Sequence, residues 1–278
     1  MDNWRIWLSY SGTCFSGFQK QHKRPSVQKE IEQAFFFILG YIPSLHVAAR
    51  TDAGVHAIGQ VISCKFKSRF TNKSLQSAIS HFLIPEITVY RIDKMPLIFH
   101  ARNHAIGKLY TYKILQKNIL LAQKKIFFPF KLDPYKMRIA SRYLVGEHDF
   151  SSFRSKSCSS NSPNRLIWKI SIGIQQSKAF QNTSFNSRNF SPQEINIKIL
   201  GNAFCHNMVR IIIGTIIKVG SGKINPEQLK KILNEKSRNF SNVTSPASGL
   251  YLEEVFYPDT IKNAFLPNWA ILPKGNIG

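Results

Sequence analysis

The tightest constraint on this chain is a switch between two hydrophobic periods that recurs along its first third. Trp4, Ile6, Leu8 and Tyr10 alternate, as in a strand with one buried face. Ser26 can then cap a helix whose Val27, Ile31, Ala34, Phe35 and Ile38 share a face, and Gly40 can end it. The runs LHVAAR (45–50) and QVISCKFK (60–67) read as two strands around a short loop. Leu75, Ala78, Ile79 and Phe82 make a second amphipathic helix, and ITVYRI (87–92) a last strand. That order, βαββαβ, predicts a ferredoxin-like unit.

The rest of the 278 residues repeats the plan loosely. A strand at 108–114 precedes a helix from Asp133, with Pro134 in its first turn and Gly146 past its end. Strands at 165–174 and 194–200, helices near 206–218 and 226–234, and a strand at 249–257 follow. Ser- and Asn-rich stretches at 154–164 and 181–192 read as loops. The expected fold is α+β: two ferredoxin-like halves with mostly antiparallel sheets flanked by helices. Residues 1–103 form the first half and 104–278 the second, with a binding cleft between them.

Charge narrows the partner. Lys and Arg number 38 against 15 Asp and Glu, a formal net charge of +23. The bases are spread through KQHKR (20–24), KFKSR (65–69) and Lys124–Lys125, so a whole folded surface should attract phosphate. Nucleic acid is the first partner this implies. The start, MDNWRIWLSY, lacks a signal-peptide layout, and the apolar run Ile211–Ile217 is too short to span a membrane. Cys14, Cys64, Cys158 and Cys205 contain no CxxC pair, so they offer neither zinc spacing nor a disulfide framework. A reducing, cytoplasmic setting fits.

Several motifs that suggest other chemistry fail. GSGK (220–223) lacks the first glycine of a phosphate loop, and Ile224 stands where Ser or Thr would hold magnesium. His100 and His104 have i, i+4 spacing, but Ala101 occupies the place of a zinc-protease glutamate. There is no GxSxG, nor a GxGxxG after a strand. What remains is RTDAGVH (50–56), one carboxylate between two predicted strands on a basic chain. As a turn it is ordinary, since Asp bonds its own backbone and Gly supplies positive φ.

The neighbouring sequence gives that loop a more specific reading. YSGTCFSGFQKQ (10–21), RTDAGVHAIGQV (50–61), FHARNHAIGKLYTYKI (99–114), LVGEHDFSSF (144–153), GNAFCHNMVRIIIGTIIKVGSG (201–222) and ASGLYLEEVFY (247–257) resemble, in order, the blocks of the tRNA pseudouridine synthase A family. The resemblance implies isomerisation of uridine at positions 38 to 40 of the tRNA anticodon stem-loop, with no metal and no nucleotide cofactor, by a homodimer. It assigns Asp52 as the essential carboxylate and Arg50 as the arginine two residues before it. Tyr110 is implied to contact the target uracil, and Arg210 to pair with the aspartate. The carboxylate acts either as a nucleophile or as a base at C2′.

Each implied role has a physical basis. A nearby cation such as Arg210 favours the ionised acid. A target uracil must leave its helical stack, at a cost of a few kcal/mol, and stacking on an aromatic ring such as Tyr110 returns roughly 1 to 3 kcal/mol per base. Arg50 can fill the vacated place or grip a flanking phosphate. His56 and His148 are read as structural, Phe99 and His100 as packing and loop contacts. Lys20, Arg24, Lys65 and Lys67 are read as phosphate-positioning groups. Ala49 and Phe18 depart from the commoner Gly or Ser and Trp without removing a functional group. A non-catalytic RNA binder and a synthase acting on another RNA are the competing readings. Under every RNA reading, about four phosphate contacts would weaken binding on the order of a hundredfold between about 50 and 200 mM salt. Filter binding of tRNA at the two concentrations measures this, and an affinity indifferent to salt would remove phosphate as the main contact.

Overall fold

The computed structural model describes residues 1–115, 126–127, 131–176, 193–237 and 243–258. Two sequence readings, the loop at 181–192 and the pair Lys124–Lys125, lie outside the described residues. In chain order the elements are β1 (Asp2–Tyr10), α1 (Val27–Leu39), β2 (Leu45–Val47), β3 (His56–Phe66), α2 (Asn72–Phe82), β4 (Ile87–Met95), β5 (Gly107–Leu115), β6 (Ile126–Phe127), α3 (Pro134–Arg142), β7 (Gly146–Asp149), β8 (Asn164–Gln176), β9 (Gln193–Gly201), α4 (Met208–Gly220), α5 (Pro226–Asn234) and β10 (Leu250–Phe256). The fold is α+β, with mostly antiparallel strands and helices packed on them. Among the described residues no helix is long and apolar enough to cross a membrane.

The chain forms two compact units. Among the described residues one comprises Met1–Leu109 with residues 251–258, the other Tyr110–Leu250. In the first, β1 is central: it pairs antiparallel with β3 (Ile6 opposite Ile62) and with β4 (Ile6 opposite Ile92). The far edge of β3 is shared, by β2 antiparallel at Cys64 to Ile62 and by β10 parallel at His56 and Ala57. The order β4-β1-β3-β2 is that of the expected βαββαβ unit. The strand that chain order groups with the second half, β10, pairs with β3 in the first unit.

The alternation in β1 predicts one buried face, but the strand is buried on both. Trp4 stacks on Phe66, which meets Phe35 of α1 edge-on, so this face is the helix-covered core. Arg5 and Trp7 occupy the other face. The Arg5 guanidinium lies 4.4 Å from the centre of the Trp7 ring, 5.2 Å from Phe99 and 5.5 Å from Tyr257, and 3.3 Å from Asp93. The segment after β4 is fastened over this face by Asn3, whose Nδ2 donates to the Pro96 and Phe99 carbonyls. A buried cation is tolerable there because an ion pair and three ring faces replace its water.

The second unit has the strand order β5-β9-β8-β7, with β6 beside β5. β8 and β9 form a long antiparallel pair, and α3 packs against β8, α4 and α5. α4 is apolar nearly all round and buried, as a helix inside a core must be. β7, inside a stretch read from sequence as following a helix, is a short strand paired with β8. The helix ends follow capping chemistry: Ser26 accepts from Lys29 N at α1, and Gly40 closes it at φ 76°. Asp133 accepts from the Tyr135 and Lys136 N–H groups ahead of Pro134 at the start of α3. Asp133→Ala is therefore expected to cost about 0.5 to 2 kcal/mol of stability, measured by urea denaturation. An unchanged midpoint would show that α3 does not need the cap.

Candidate active site

The RTDAGVH stretch is the connection that leaves β2 and enters β3. The backbone pairing of the two strands continues to Ala48, whose N–H donates to the Val61 carbonyl at 2.9 Å. Beyond it the chain turns. Val55 N–H donates to the Asp52 carbonyl at 3.1 Å, and Gly54 holds φ 78°, the left-handed region a type II turn demands at its third residue. Arg50 is exposed, Thr51 buried, and Asp52 half-buried. The loop thus fixes its backbone and leaves the carboxylate residue within reach of solvent.

A second loop, the YSGTCFSGFQ segment between β1 and α1, holds the first in place. Phe18 N–H donates to the Thr51 carbonyl and Gly54 N–H to the Phe15 carbonyl. Two glycines permit this approach. A Cβ at Gly12 would fall on the Val55 carbonyl and lie 2.8 Å from the Gly54 carbon. A Cβ at Gly17 would lie 2.9 Å from the Thr51 oxygen and 3.3 Å from the Asp52 carbon, and Gly17 also holds φ 108°. Side chains close the contact: Tyr10 Oη and Thr51 Oγ1 are 2.7 Å apart in a buried hydrogen bond, and Gln60 Nε2 donates to Tyr10 Oη at 3.2 Å. Burial pushes the Tyr10 phenol up to about 12. Sequence reading missed these supporting residues. The only available signal was a polar Gln60 among the apolar residues of a strand.

His56 has the bracing role expected of it. Its Nδ1 accepts the Gly12 N–H at 3.2 Å, and its ring stacks on Tyr251 of β10 at 4.7 Å. His148 Nε2 lies 3.0 Å from the Val145 carbonyl, with its ring edge-on to Phe150. His100 and His104 serve a turn: His104 Nδ1 accepts the His100 N–H, and His100 Nδ1 accepts the Arg102 N–H. GSGK lies at the C-terminal end of α4, where Lys223 N–H returns to the Lys218 carbonyl. Phosphate loops use the opposite, N-terminal end of a helix. Of the four surface bases, Arg24, Lys65 and Lys67 are exposed, while Lys20 is engaged by Glu32 at 2.8 Å.

Tyr110 and Arg210 belong to the second unit. Tyr110, on β5, is buried, and its ring meets Phe204 edge-on at 5.4 Å. Arg210 lies in the first turn of α4. Its Nε donates to the Ser245 carbonyl at 2.8 Å and its Nη1 to Asn207 Oδ1 at 2.9 Å. Asn207 opens the helix at φ 59° and gives its side-chain oxygen to Arg210 rather than to the helix. A cation at a helix N-terminus is electrostatically disfavoured, by about 0.3 to 1 kcal/mol at an exposed site. Arg210 is held there by the Ser245 carbonyl and Asn207 Oδ1. So the site residues fall into two local groups: Arg50 and Asp52 on one loop, and Tyr110 and Arg210 tied to the 204–210 segment through Phe204 and Asn207.

A family model described as tRNA pseudouridine synthase matches residues 140–258. Curated relatives match far more of the chain. The tRNA pseudouridine synthase A of Wolbachia pipientis subsp. Culex pipiens (strain wPip) is 38% identical over 262 residues, covering 91% of this chain and 99% of that protein. That of Buchnera aphidicola subsp. Acyrthosiphon pisum (strain APS) is 36% identical over 254 residues, 90% of each. The Acetivibrio thermocellus protein of the same name is 34% identical over 260 residues, 92% of this chain and 100% of its own.

Two of the positive-φ glycines, Gly17 and Gly40, allow a test of the loop contact. A Cβ added at Gly40 would meet nothing within 4 Å. Gly40→Ala should therefore cost only the conformational penalty, about 1 to 2 kcal/mol. Gly17→Ala should cost more in thermal unfolding and also slow any reaction at the 50–56 loop. Equal effects of the two substitutions on stability would show that the interloop contact is not tight.

Proposed function

The chain belongs to the tRNA pseudouridine synthase family, and from that premise we propose that it isomerises uridine at positions 38, 39 and 40 of the tRNA anticodon stem-loop, with Asp52 as the essential carboxylate. The reaction breaks the N1–C1′ glycosidic bond and joins C1′ to C5 of the same uracil. C5 loses its proton and N1 gains one, so no electron pair enters or leaves the substrate overall. The chemistry needs one ionised carboxylate beside the ribose and base, acting either as a nucleophile or as a base at C2′.

The observation that carries this reading is the 50–56 loop. Its backbone is hydrogen-bonded to a second loop at Thr51 and Gly54, while Asp52 keeps access to solvent. A carboxylate held on a fixed backbone reacts without first being ordered, which is where positioned groups gain most of their rate. Arg50, exposed on the same loop, is assigned to the RNA: it fills the vacated stack or grips a flanking phosphate. Tyr110 is assigned to the face of the uracil. Arg210 is assigned as the cation that keeps the carboxylate ionised. The substrate is tRNA and the active form a homodimer, as the family resemblance implies, in the cytoplasm.

Asp52→Asn and Asp52→Ala are expected to abolish tritium release from tRNA carrying C5-labelled uridine, while the folded variants still bind tRNA. Full release by a folded Asp52→Ala variant would refute the assignment. Tyr110→Phe should keep the stacking surface and retain more activity than Tyr110→Ala, and equal activities would remove Tyr110 from base capture. Mapping pseudouridine in tRNA from a strain lacking this protein tests the positions: uridine should persist at 38, 39 and 40.

A further inference from the structure

Asp52, read as the essential carboxylate, needs a fixed position, and buried groups beneath its loop supply one. Gln60 is fully buried in β3, and all four of its amide hydrogen-bonding positions are used. Its Oε1 accepts the Ala49 N–H at 3.3 Å and the Val61 N–H at 3.1 Å. Its Nε2 donates to the Ala49 carbonyl at 2.7 Å and to Tyr10 Oη at 3.2 Å. Both backbone groups of Ala49 are thus held by one side chain. Where the β2–β3 backbone pairing ends at Ala48, the Gln60 amide acts as a further strand partner and lets the main chain turn away without losing its bonds.

Tyr10 carries the linkage onward, its hydroxyl 2.7 Å from Thr51 Oγ1, one residue before Asp52. A sheet irregularity aims the two side chains. β1 and β3 pair at Leu8–Gln60 and again at Tyr10–Ala57, so β3 carries one residue more than β1 over this stretch, a bulge beside Gly59. Bulges commonly re-aim side chains next to active sites. Here the bulge accompanies the meeting of Tyr10 and Gln60 inside the protein, beneath the loop.

We infer that Gln60 and Tyr10 are positioning residues for Asp52, acting through Ala49 and Thr51 as a buried Gln60–Tyr10–Thr51 hydrogen-bond chain. None of the three needs to touch substrate. The chain, with the Phe18 N–H to Thr51 carbonyl bond, fixes the residues on the β2 side of Asp52, and the Gly54 N–H to Phe15 carbonyl bond fixes the residues that follow it. A displacement of about 1 Å at a reacting group can lower a rate on the order of a hundredfold, so a lost hydroxyl in this chain should appear in the chemical step.

The test is single-turnover tritium release with saturating enzyme, set beside tRNA binding and thermal unfolding of the same variants. Tyr10→Phe and Thr51→Val each remove one hydroxyl and little volume. Each should slow the single-turnover rate on the order of ten- to a hundredfold with tRNA affinity unchanged. The double variant should be no slower than the worse single one, because both break the same bond. Thr51→Ser keeps the hydroxyl and should restore most of the rate. Gln60→Met, which removes all four bonds, should be slower still, and if it does not fold the other three variants decide the matter. A single-turnover rate unchanged in folded Tyr10→Phe and Thr51→Val overturns the inference even if their melting temperatures fall. So does a loss that lies wholly in tRNA affinity. Activity in Asp52→Ala would instead refute the reading on which the chain rests, whereas an inactive Asp52→Ala beside fully active Tyr10→Phe and Thr51→Val refutes the positioning alone.

Discussion

A loop that leaves a sheet must find new partners for the backbone groups the sheet had satisfied, and a buried N–H or carbonyl without one costs about as much as a lost hydrogen bond. In the first unit several of these groups find partners within the protein. Ala48 is still bound by the backbone of β3, Ala49 by the Gln60 amide, Thr51 by Phe18 and Tyr10, and Gly54 by Phe15. The consequence is rigidity at the base of the loop with exposure at Arg50 and Ala53.

The same logic holds in both units. At three positions near candidate site residues an ordinary local preference is set aside. Gly17 adopts φ 108° so that two loops can touch, Asn207 enters the left-handed region at the start of α4, and Arg210 brings positive charge to a helix N-terminus. Sequences that specify a fold are consistent across levels, and departures gather at functional positions. Gly17, Asn207 and Arg210 lie within the blocks at 10–21 and 201–222, whereas Lys23 and Lys236, which also hold positive φ, lie outside them.

What the sequence made readable was local. Period, caps and turn residues located α1 between Ser26 and Gly40, α3 after Asp133–Pro134, and the turn at Gly54, because each depends on residues a few positions apart. β1 was found by alternation, but its second buried face was not foreseen. That face is covered by Phe99 and Tyr257, distant in sequence, and holds an arginine that alternation counts as outward. β7 is too short to show a period. Asp52 emerged only through the surrounding blocks, since Asp-Ala-Gly by itself is turn material. The Gln60–Tyr10–Thr51 chain was signalled only by a polar Gln60 in an apolar strand, which does not reveal its partners.

The shared edge of β3 bears on how the protein is made. β2 covers only the later part of that edge, and the part that follows directly from the Asp52 loop, His56 and Ala57, is paired by Tyr251 and Leu252. Gly59 lies so close to Glu253 that a side chain would fall on its carbonyl. On the ribosome, then, α1, α2 and β1 to β4 of the first unit emerge long before β10, the strand that completes it. For the time needed to translate roughly two hundred further residues, at about 5 to 20 per second, the strand bearing the Asp52 loop has a bare edge. Such edges recruit other chains. The first unit therefore cannot close the edge beside its Asp52 loop until nearly the whole chain has been made.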